Sequence, residues 1–154
     1  MERLLKVQLR HGRFTNVSPE RSRIMSSIRG KRNKTTETAL RMALVRSAVS
    51  GWSLHPPDLP GHPDFYFSAF RLAIFVDGCF WHGCPRCGHF PKTNSNFWRL
   101  KIKRNIERDT KAHFRLRRRG IRVVRFWEHD LRDSLADCVA KLRTCIRGCA
   151  ANKR

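Results

Sequence analysis

Apolar residues recur along the chain in two patterns, long segments with helical spacing and short segments that are apolar almost throughout. The first helical segment, "SPERSRIMSSIRG", opens with a serine cap and a proline at the first helical position, which is typical of a helix start. The second, "TTETALRMALVRSAVSG", places Leu40, Leu44 and Val45 on an inward face and has Gly51 as its predicted C-cap. The pattern therefore predicts two successive helices before any strand.

The short apolar segments predict strands. "DFYF" and "RLAIFVD" are expected to form a hairpin that turns at residues 68–70, after a proline-rich connection, "WSLHPPDLPGHP". Beyond a loop at residues 78–93, we expect a long basic helix at residues 94–120, a buried strand at "IRVVRFWE" and a last helix at residues 130–148. The predicted order ααββαβα is typical of an α/β fold with a mixed β-sheet flanked by helices.

Length and composition bound the organisation of the chain. With 154 residues, of which 40% are hydrophobic, we expect one folded domain at residues 18–150, preceded by a mobile basic tail at residues 1–17. No apolar run approaches the roughly 18 residues of a membrane span. The N-terminal residues, "MERLLKVQLRHGRF", lack the apolar core of a secretory signal. We therefore expect a cytoplasmic protein with no membrane partner.

Basic residues greatly outnumber acidic ones. The chain has 33 Lys and Arg residues against 12 Asp and Glu residues, which gives a formal net charge of +21. A compact domain with this degree of self-repulsion is typical of a protein that binds a polyanion. Nucleic acid is favoured over an acidic membrane surface, because no basic amphipathic anchor is apparent in the sequence.

The six cysteines fall into two sets of three. In a cytoplasmic protein they are not expected to form disulfides. One set lies in the last predicted helix, with the spacing of an inward stripe, and consists of Cys138, Cys145 and Cys149. Small buried thiols explain that set without any further role.

The other set has the spacing of a metal site. Cys84 and Cys87 form a CxxC pair within "CPRCG", and Cys79 lies five residues earlier. A structural Zn²⁺ takes four Cys or His ligands in a tetrahedron, and such a closed site has no open position for chemistry. The fourth ligand is either His129, after the strand "VVRFWE", or His89, two residues beyond Cys87. His129 is preferred, because a ligand from a distant strand end would pin the loop to the sheet.

Two aspartates lie at predicted strand ends. Asp64 begins "DFYF", and Asp77 ends "RLAIFVD". Carboxylates at the ends of paired strands are able to share Mg²⁺, which takes one or two carboxylates together with water and phosphate oxygens. Without further context, the simpler explanation is that both residues terminate strands or cap loops.

Five motifs carry a resemblance to a known family. The segments "RSRIMSSIRGKRNKTTETAL", "DLPGHPDF", "FVDGCFWHGC", "FWRLKIKRNIERD" and "RRRGIRVVRFWEHDL" cover most of residues 20–132. In these five segments together, the chain resembles the very short patch repair (Vsr) endonucleases. The resemblance implies a restriction-endonuclease-like fold, a structural Zn²⁺, and a monomer that nicks one strand of double-stranded DNA beside a T:G mismatch with Mg²⁺.

The same resemblance implies roles for the acidic site. Asp64 matches the principal Mg²⁺ ligand, and the backbone carbonyl of Val76 is expected to be another. His82 matches the catalytic histidine, a general base for the attacking water, and histidine is the side chain that most often has this task in enzymes. Glu37 matches a supporting acidic residue, with a plain surface glutamate as the alternative. The role of Asp77 as ligand, base or orienting group stays open.

Three aromatic residues match positions that insert into the base stack at the mismatch in this family, namely Phe80, Trp81 and Trp98. Unstacking costs a few kcal/mol per base step and costs least where pairing is already defective. The alternative is that one or more of these side chains simply pack beneath the zinc loop.

Two other functions are kept as alternatives. One is a zinc-stabilised DNA-binding protein that recognises distorted DNA without catalysis. The other is a related nickase with a target that is independent of a mismatch. Mismatch-repair proteins and a cognate cytosine methyltransferase are candidate partners, and the bacterial nucleoid is the expected location. The sequence does not identify the flanking bases.

Overall fold

The computed structural model describes residues 18–20, 23 and 34–151. Pro19, Glu20 and Arg23 are helical, as predicted for the first helix; the other residues predicted for that helix before Lys34 and the predicted tail at residues 1–17 lie outside the described part. From Lys34 onward the elements are helices α1–α4, strands β1–β4 and one 3₁₀ turn. In chain order they are α1 (Lys34–Arg46), β1 (Ser53–Leu54), β2 (Phe65–Phe67), the 3₁₀ turn (Ser68–Phe70), β3 (Leu72–Asp77), α2 (Ser95–Arg118), β4 (Arg122–Trp127), α3 (Glu128–Asp133) and α4 (Leu135–Ala151).

The four strands form one mixed sheet in the order β1-β2-β3-β4. β1, β2 and β3 are antiparallel neighbours, with Phe65 opposite Ile74, and the predicted hairpin is confirmed. β4 runs parallel to β3, with Ile74 opposite Val124. A parallel neighbour needs a long crossover, which here contains the loop at residues 78–94 and the whole of α2. The predicted mixed sheet flanked by helices is therefore confirmed.

The alternation of side chains along β3 explains its apolar run. Leu72 and Ile74 pack in the larger core, which also contains buried residues of α1, α3 and α4. Ala73 and Phe75 pack in a smaller core with Leu116 at the end of α2. Both faces of β3 are therefore buried, so an almost continuous apolar run takes the place of a polar–apolar alternation.

The end of α1 differs from the prediction. Leu40 and Leu44 are fully buried, but Val45 is 58% exposed, because it lies one residue beyond the i, i+4 stripe. The helix ends at Arg46, and Ala48, three residues before the predicted C-cap Gly51, adopts a left-handed conformation there. The amide of Val49 then donates to the carbonyl of Leu44 at 2.9 Å and closes the helix end. The inward Val45 and the C-cap at Gly51 were therefore wrong.

Three further boundaries differ in detail. Ser53–Leu54 of the proline-rich connection forms the short strand β1, which pairs with β2. The last helix is two helices, α3 and α4, with Ser134 between them. In β4 only Phe126 is buried, since the strand lies at the edge of the sheet. The stripe of α4 is as predicted, with Cys138 and Cys149 buried. In the described part of the chain, no helix is both long and apolar enough to cross a membrane.

Candidate active site and metal centre

Two groups of metal-ligating side chains are found among the described residues, and in each group the donor atoms lie within 4.8 Å of one another. The first contains Glu37, His55 and Asp64. His55 Nε2 lies 2.8 Å from Glu37 Oε1, and His55 Nδ1 lies 3.9 Å from Asp64 Oδ1. This group combines α1 with the ends of β1 and β2, so it exists only once the sheet has formed.

The backbone of the sheet positions Asp64. Its amide donates to the carbonyl of Ile74 at 2.9 Å, and its carbonyl accepts from the amide of His55 at 3.2 Å. Its side chain is held as well, because the amide of Val76 donates to Oδ2 at 2.7 Å. Asp64 Oδ1 then faces His55. The carbonyl of Val76 as a second Mg²⁺ ligand stays a prediction.

The electrostatics at Asp64 suit a cation. Burial raises the pKa of this carboxyl to about 6, and the negative charge of Glu37 acts in the same direction, against the hydrogen bond from Val76. A cation bound here would offset the cost of placing two carboxylates together in a half-buried site. The oxygen-rich donor set therefore fits a divalent cation.

His82 belongs to a second arrangement of charged residues. Its Nδ1 lies 2.5 Å from Asp109 Oδ2, on α2. The loop approaches this helix closely at Gly83, where a Cβ atom would come within 2.7 Å of Ile106. Burial opposes ionisation of Asp109, but the hydrogen bond with His82 and the charge of Arg125 outweigh it and lower the pKa of Asp109. Asp109 is therefore ionised and holds the Nδ1 side of the imidazole.

Asp77 is buried beside this pair. Its Oδ2 lies 3.0 Å from Arg125 Nη1, and its Oδ1 lies 3.7 Å from His82 Nδ1. Burial raises the pKa of Asp77, while the charges of Arg125 and His82 act against that rise. Asp77 is not in the group of Glu37, His55 and Asp64, although it lies near enough to Asp64 for its charge to raise the pKa of that carboxyl. Its contacts suit an orienting role.

The second metal-ligating group contains Cys79, Cys84, Cys87 and His129. His129 Nδ1 lies 3.1, 3.6 and 3.4 Å from the three sulfurs in that order, and the sulfurs of Cys84 and Cys87 are 3.7 Å apart. A tetrahedral Zn²⁺ with Zn–S of about 2.3 Å and Zn–N of about 2.1 Å requires edges of about 3.8 and 3.6 Å. The donors therefore have nearly the separations of a zinc site, with His129 rather than His89 as the fourth member.

The surroundings of this group also fit a metal. His129 Nε2 lies 3.0 Å from Asp130 Oδ1, so Nε2–H donates to the carboxylate and Nδ1 keeps a lone pair for a metal. Burial raises the pKa of the Cys79 thiol to about 12. At Cys84 burial acts in the same direction, but hydrogen bonds from the backbone of Cys87 outweigh it and lower the pKa of the thiol. One thiol is thus prepared to ionise, and a metal would deprotonate the others.

The three predicted wedge residues form one aromatic cluster. The ring centroids of Phe80 and Trp81 are 5.1 Å apart, and Trp98 lies 5.3 and 5.8 Å from them, all edge to face or tilted. Trp98 is only 8% exposed, whereas Phe80 and Trp81 are half-buried. Trp81 Nε1 is buried, and no hydrogen-bond partner for it is found among the described residues. Trp98 would have to leave this cluster to enter a base stack.

Four residues of these sites were not identified from the sequence, namely His55, Asp109, Arg125 and Asp130. His55, Asp109 and Arg125 contact residues that are distant in the sequence, so these contacts exist only in the folded protein. Asp130 contacts its neighbour His129, which was itself only a predicted ligand. A signal existed for three of them, because Asp109 lies in the motif "FWRLKIKRNIERD" and Arg125 and Asp130 lie in "RRRGIRVVRFWEHDL", whereas His55 lies three residues before "DLPGHPDF". Neither residue type nor spacing assigned them a partner.

Comparisons with known proteins identify the family of this chain. The family model "DNA mismatch endonuclease Vsr" matches residues 15–87. The type II nicking enzyme V.XorIIP of Xanthomonas oryzae is 41% identical over 133 residues, which is 84% of this chain and 95% of that protein. The DNA mismatch endonuclease Vsr of Escherichia coli is 40% identical over 104 residues, 64% of this chain and 65% of that protein. The type II nicking enzyme V.NaeI of Lentzea aerocolonigenes is 45% identical over 87 residues, 56% and 52% of the two chains.

The similarity to V.XorIIP extends over almost the whole of that protein, and the mixed sheet with its flanking helices is the restriction-endonuclease-like fold. The chain is an endodeoxyribonuclease and belongs to the Vsr DNA mismatch endonuclease family.

Proposed function

We propose that this endonuclease nicks one strand of double-stranded DNA beside a T:G mismatch, with Mg²⁺ at Asp64 and a structural Zn²⁺ in the loop. The Vsr family model and the similarity to the E. coli Vsr protein support the mismatch as the target. The four-donor group supports Zn²⁺, since three thiolates and one imidazole are a soft, closed donor set.

The observation that carries the catalytic proposal is the position of both reacting groups at one end of β3. The amide of Val76 binds Asp64, and the next residue, Asp77, approaches His82 to 3.7 Å. The carboxylate that would bind the cation and the imidazole that would activate the water are thereby positioned by two consecutive residues of β3, Val76 and Asp77.

The chain's own residues divide the reaction between them. Bound Mg²⁺ would supply Lewis-acid stabilisation of charge on the phosphate. Asp64 would hold the cation, with Glu37 in support. Asp109 accepts a hydrogen bond from His82 Nδ1, which leaves Nε2 as the basic nitrogen. His82 Nε2 would then take the proton of the water that attacks phosphorus. Asp77 and Arg125 would orient this pair.

The aromatic cluster supports recognition of a defective base pair. Phe80 and Trp81 lie on the same loop as His82. Either side chain, inserted between DNA bases, would therefore lie within two residues of the catalytic histidine. Lys101 lies 5.5 Å from the Trp81 ring and would meet the neighbouring phosphates. We propose Phe80 and Trp81 as the first wedge residues, with Trp98 as their support or as a third wedge after rearrangement.

Contacts with the phosphate backbone of DNA are assigned to the basic residues of α2. Most of its Lys and Arg side chains are exposed along six turns of the helix, including Lys103, Arg108, Lys111 and Arg115. Phosphate neutralisation releases counterions, with a slope of about −0.9 in log K against log salt for each phosphate. Tight binding should therefore be strongly salt-dependent.

A second candidate function is a nick at a site without a mismatch. Two of the relatives described above are named type II nicking enzymes, and that name does not include a mismatch. The same catalytic residues would serve, while the flanking bases and the need for a defect would differ.

The test is strand-specific cleavage of end-labelled duplexes, one with a T:G mismatch and one fully paired, with and without added Mg²⁺. We expect one Mg²⁺-dependent nick beside the mismatched T. Asp64→Asn should lower the rate by at least about 10³-fold, because the ligand that stabilises transition-state charge is lost. Asp58→Asn is the matched control, since Asp58 is an exposed aspartate of the same connection.

Each alternative has its own outcome in this assay. Equal nicking of both duplexes would favour the mismatch-independent nickase. Salt-sensitive binding without cleavage of either strand would favour the binding protein without catalysis. Nicking by Asp64→Asn at the wild-type rate would exclude Asp64 as the principal ligand.

A further inference from the structure

We propose that His55 is a direct ligand of the catalytic cation, and that the site consequently binds Mn²⁺ more tightly than Mg²⁺. The proposal rests on the function proposed above, because it concerns the same cation. It adds a nitrogen donor to a site for which the sequence indicated only oxygen donors, and it changes the role of Glu37.

The separations around His55 suit a shared cation better than a second hydrogen bond. Its Nδ1 lies 3.9 Å from Asp64 Oδ1, which is too long for a hydrogen bond. Two donors that each lie about 2.1–2.2 Å from one cation are separated by about 3–4.3 Å, depending on the angle between them. A cation between Asp64 Oδ1 and His55 Nδ1 therefore needs almost no movement of either side chain.

The other ring nitrogen is already occupied. His55 Nε2 lies 2.8 Å from Glu37 Oε1, so it donates its proton to that carboxylate. The tautomer is then fixed with the lone pair on Nδ1, the nitrogen that faces Asp64. A carboxylate, a histidine and a metal in this order are the usual arrangement for a ligating imidazole. Glu37 becomes a positioning residue that orients His55.

The same arrangement occurs in the other metal-ligating group of this chain. His129 Nε2 contacts Asp130 at 3.0 Å, and its Nδ1 faces the three sulfurs. Each histidine thus has a carboxylate on Nε2 and the metal-ligating donors on Nδ1. His55 differs in that its ligand partner is a carboxylate oxygen.

The backbone of His55 is held in an unusual conformation. Its φ of +46° lies in the left-handed region, which residues with a Cβ atom rarely adopt. The hydrogen bond from its amide to the carbonyl of Asp64, at 3.2 Å, extends the pairing of β1 and β2 by one residue. Backbone strain of this kind is concentrated at functional sites, where the surroundings maintain it. Here it directs the imidazole toward the two carboxylates.

A nitrogen donor changes which cation is favoured. Mg²⁺ is a hard cation that prefers oxygen ligands and keeps several waters. Mn²⁺ also favours carboxylate and water oxygens, but as a transition-metal ion it binds an imidazole nitrogen more strongly than Mg²⁺ does. Mn²⁺ is also the best probe here, since it has little affinity for the thiolates of the zinc group.

The experiment measures Mn²⁺ in the zinc-loaded protein without DNA. Electron spin echo envelope modulation detects the ¹⁴N nuclei of an imidazole bound to Mn²⁺. We expect ¹⁴N modulation in the wild type and its loss in His55→Gln, with unchanged modulation in the control His62→Gln, an exposed histidine of the same connection. By calorimetry, His55→Gln should lower Mn²⁺ affinity about 10–100-fold and Mg²⁺ affinity by less than about 3-fold.

Several outcomes would overturn the assignment. They are wild-type Mn²⁺ without ¹⁴N modulation, no Mn²⁺ binding at millimolar concentration, modulation that persists in His55→Gln, or equal losses for Mn²⁺ and Mg²⁺. If His55→Gln does not fold, His55→Asn serves as the second variant, and absence of ¹⁴N modulation in the wild type overturns the assignment without any variant.

Failure of the proposed function can be distinguished from failure of the His55 assignment. If the wild type nicks the mismatched duplex but shows no ¹⁴N modulation, only the His55 assignment fails. If the modulation is present and lost in His55→Gln while no duplex is cut, the ligand stands and the nicking function fails.

Discussion

The two metal-ligating groups of this protein differ in residue type and in how the chain assembles them. Cys79, Cys84 and Cys87 lie within nine residues of one loop, and only His129 comes from elsewhere. Glu37 lies on α1, His55 directly follows β1 and Asp64 directly precedes β2, with no two of them closer than nine residues in the chain. The first group is a closed set of four donors, and the second is an open set in which Glu37 orients His55 beside Asp64.

This difference separates a structural role from a chemical one. A tetrahedral set leaves no position for water or substrate, whereas a set with fewer protein donors leaves positions for both. The loop of the closed group also carries Phe80, Trp81 and His82. Zinc in this loop would therefore hold the general base and the two wedge residues in position beside the cation site. Changes to the closed group should thus affect stability and activity together, and changes to the open group should affect activity alone.

The largest effect on stability is expected from Cys84→Ser. Cys84 is a buried member of the closed group, and structural zinc has an apparent binding free energy of about 10–16 kcal/mol in zinc-finger peptides. In a domain with its own core we expect a loss of at least about 5 kcal/mol, which is a Tm decrease of about 10–20 °C. Calorimetry and the zinc content of the purified protein measure both consequences.

The control for this change is Cys145→Ser. Cys145 is a half-buried cysteine of α4 that packs against the larger core and lies outside the closed group. It should cost about 1 kcal/mol and leave the zinc content unchanged. A full equivalent of zinc in Cys84→Ser, or equal Tm decreases in the two variants, would contradict the ligand assignment.

The next largest effect is expected on the rate of nicking. His82→Ala should lower it about 10²- to 10⁴-fold, because the general base is lost. Asp109→Asn should lower it as well, since an amide no longer favours the tautomer with the proton on Nδ1. Single-turnover cleavage with Mg²⁺ measures both rates, and the double variant should be no slower than His82→Ala, because the two residues act as one unit.

Glu107→Gln serves as the control for the pair, since Glu107 lies on α2 two residues before Asp109. It should leave the rate within about 3-fold of the wild type. Additive losses in the double variant would mean that Asp109 does not act through His82.

A smaller effect is expected from Asp130→Asn in the surroundings of the closed group. The change removes the carboxylate that orients His129 but leaves all four ligands. Zinc affinity should fall about 10–100-fold. Competition with a chromophoric chelator measures it, and Asp137→Asn on α4 is an exposed control. An unchanged affinity would show that Asp130 only caps α3 through the amide of Trp127.

The smallest effect is expected on the preference for a mismatch. Trp81→Ala should weaken binding to the T:G duplex about 10-fold and to the paired duplex much less, because insertion gains most where pairing is defective. Fluorescence anisotropy with both duplexes measures the ratio. Phe114→Ala, which removes an aromatic side chain that is 62% exposed on α2, is the control. Equal losses on both duplexes would mean that Trp81 does not read the defect.

Features that depend on closely spaced residues could be predicted from the sequence. The CxxC pair needed only its spacing, and the hairpin of β2 and β3 needed only two apolar runs around a short turn. Boundaries that depend on distant contacts were missed. Val45 is apolar yet exposed, and the end of α1 is decided by the bond between Val49 and Leu44. Short strands such as β1 have too few residues for a pattern and exist because a partner strand is present.

The sequence by itself determined the fold class, the basic surface, the thiol set and the family, because each is written in composition or in close spacing. Only the tertiary structure decided which partners the charged residues have. Asp109 contacts His82 across 27 positions, Asp64 approaches His55 across the pairing of β1 and β2, and Arg125 of β4 pairs with Asp77 of β3. Ion pairs and metal donors act over a few ångströms in space, and a chain brings such groups together only after its sheet and helices have packed.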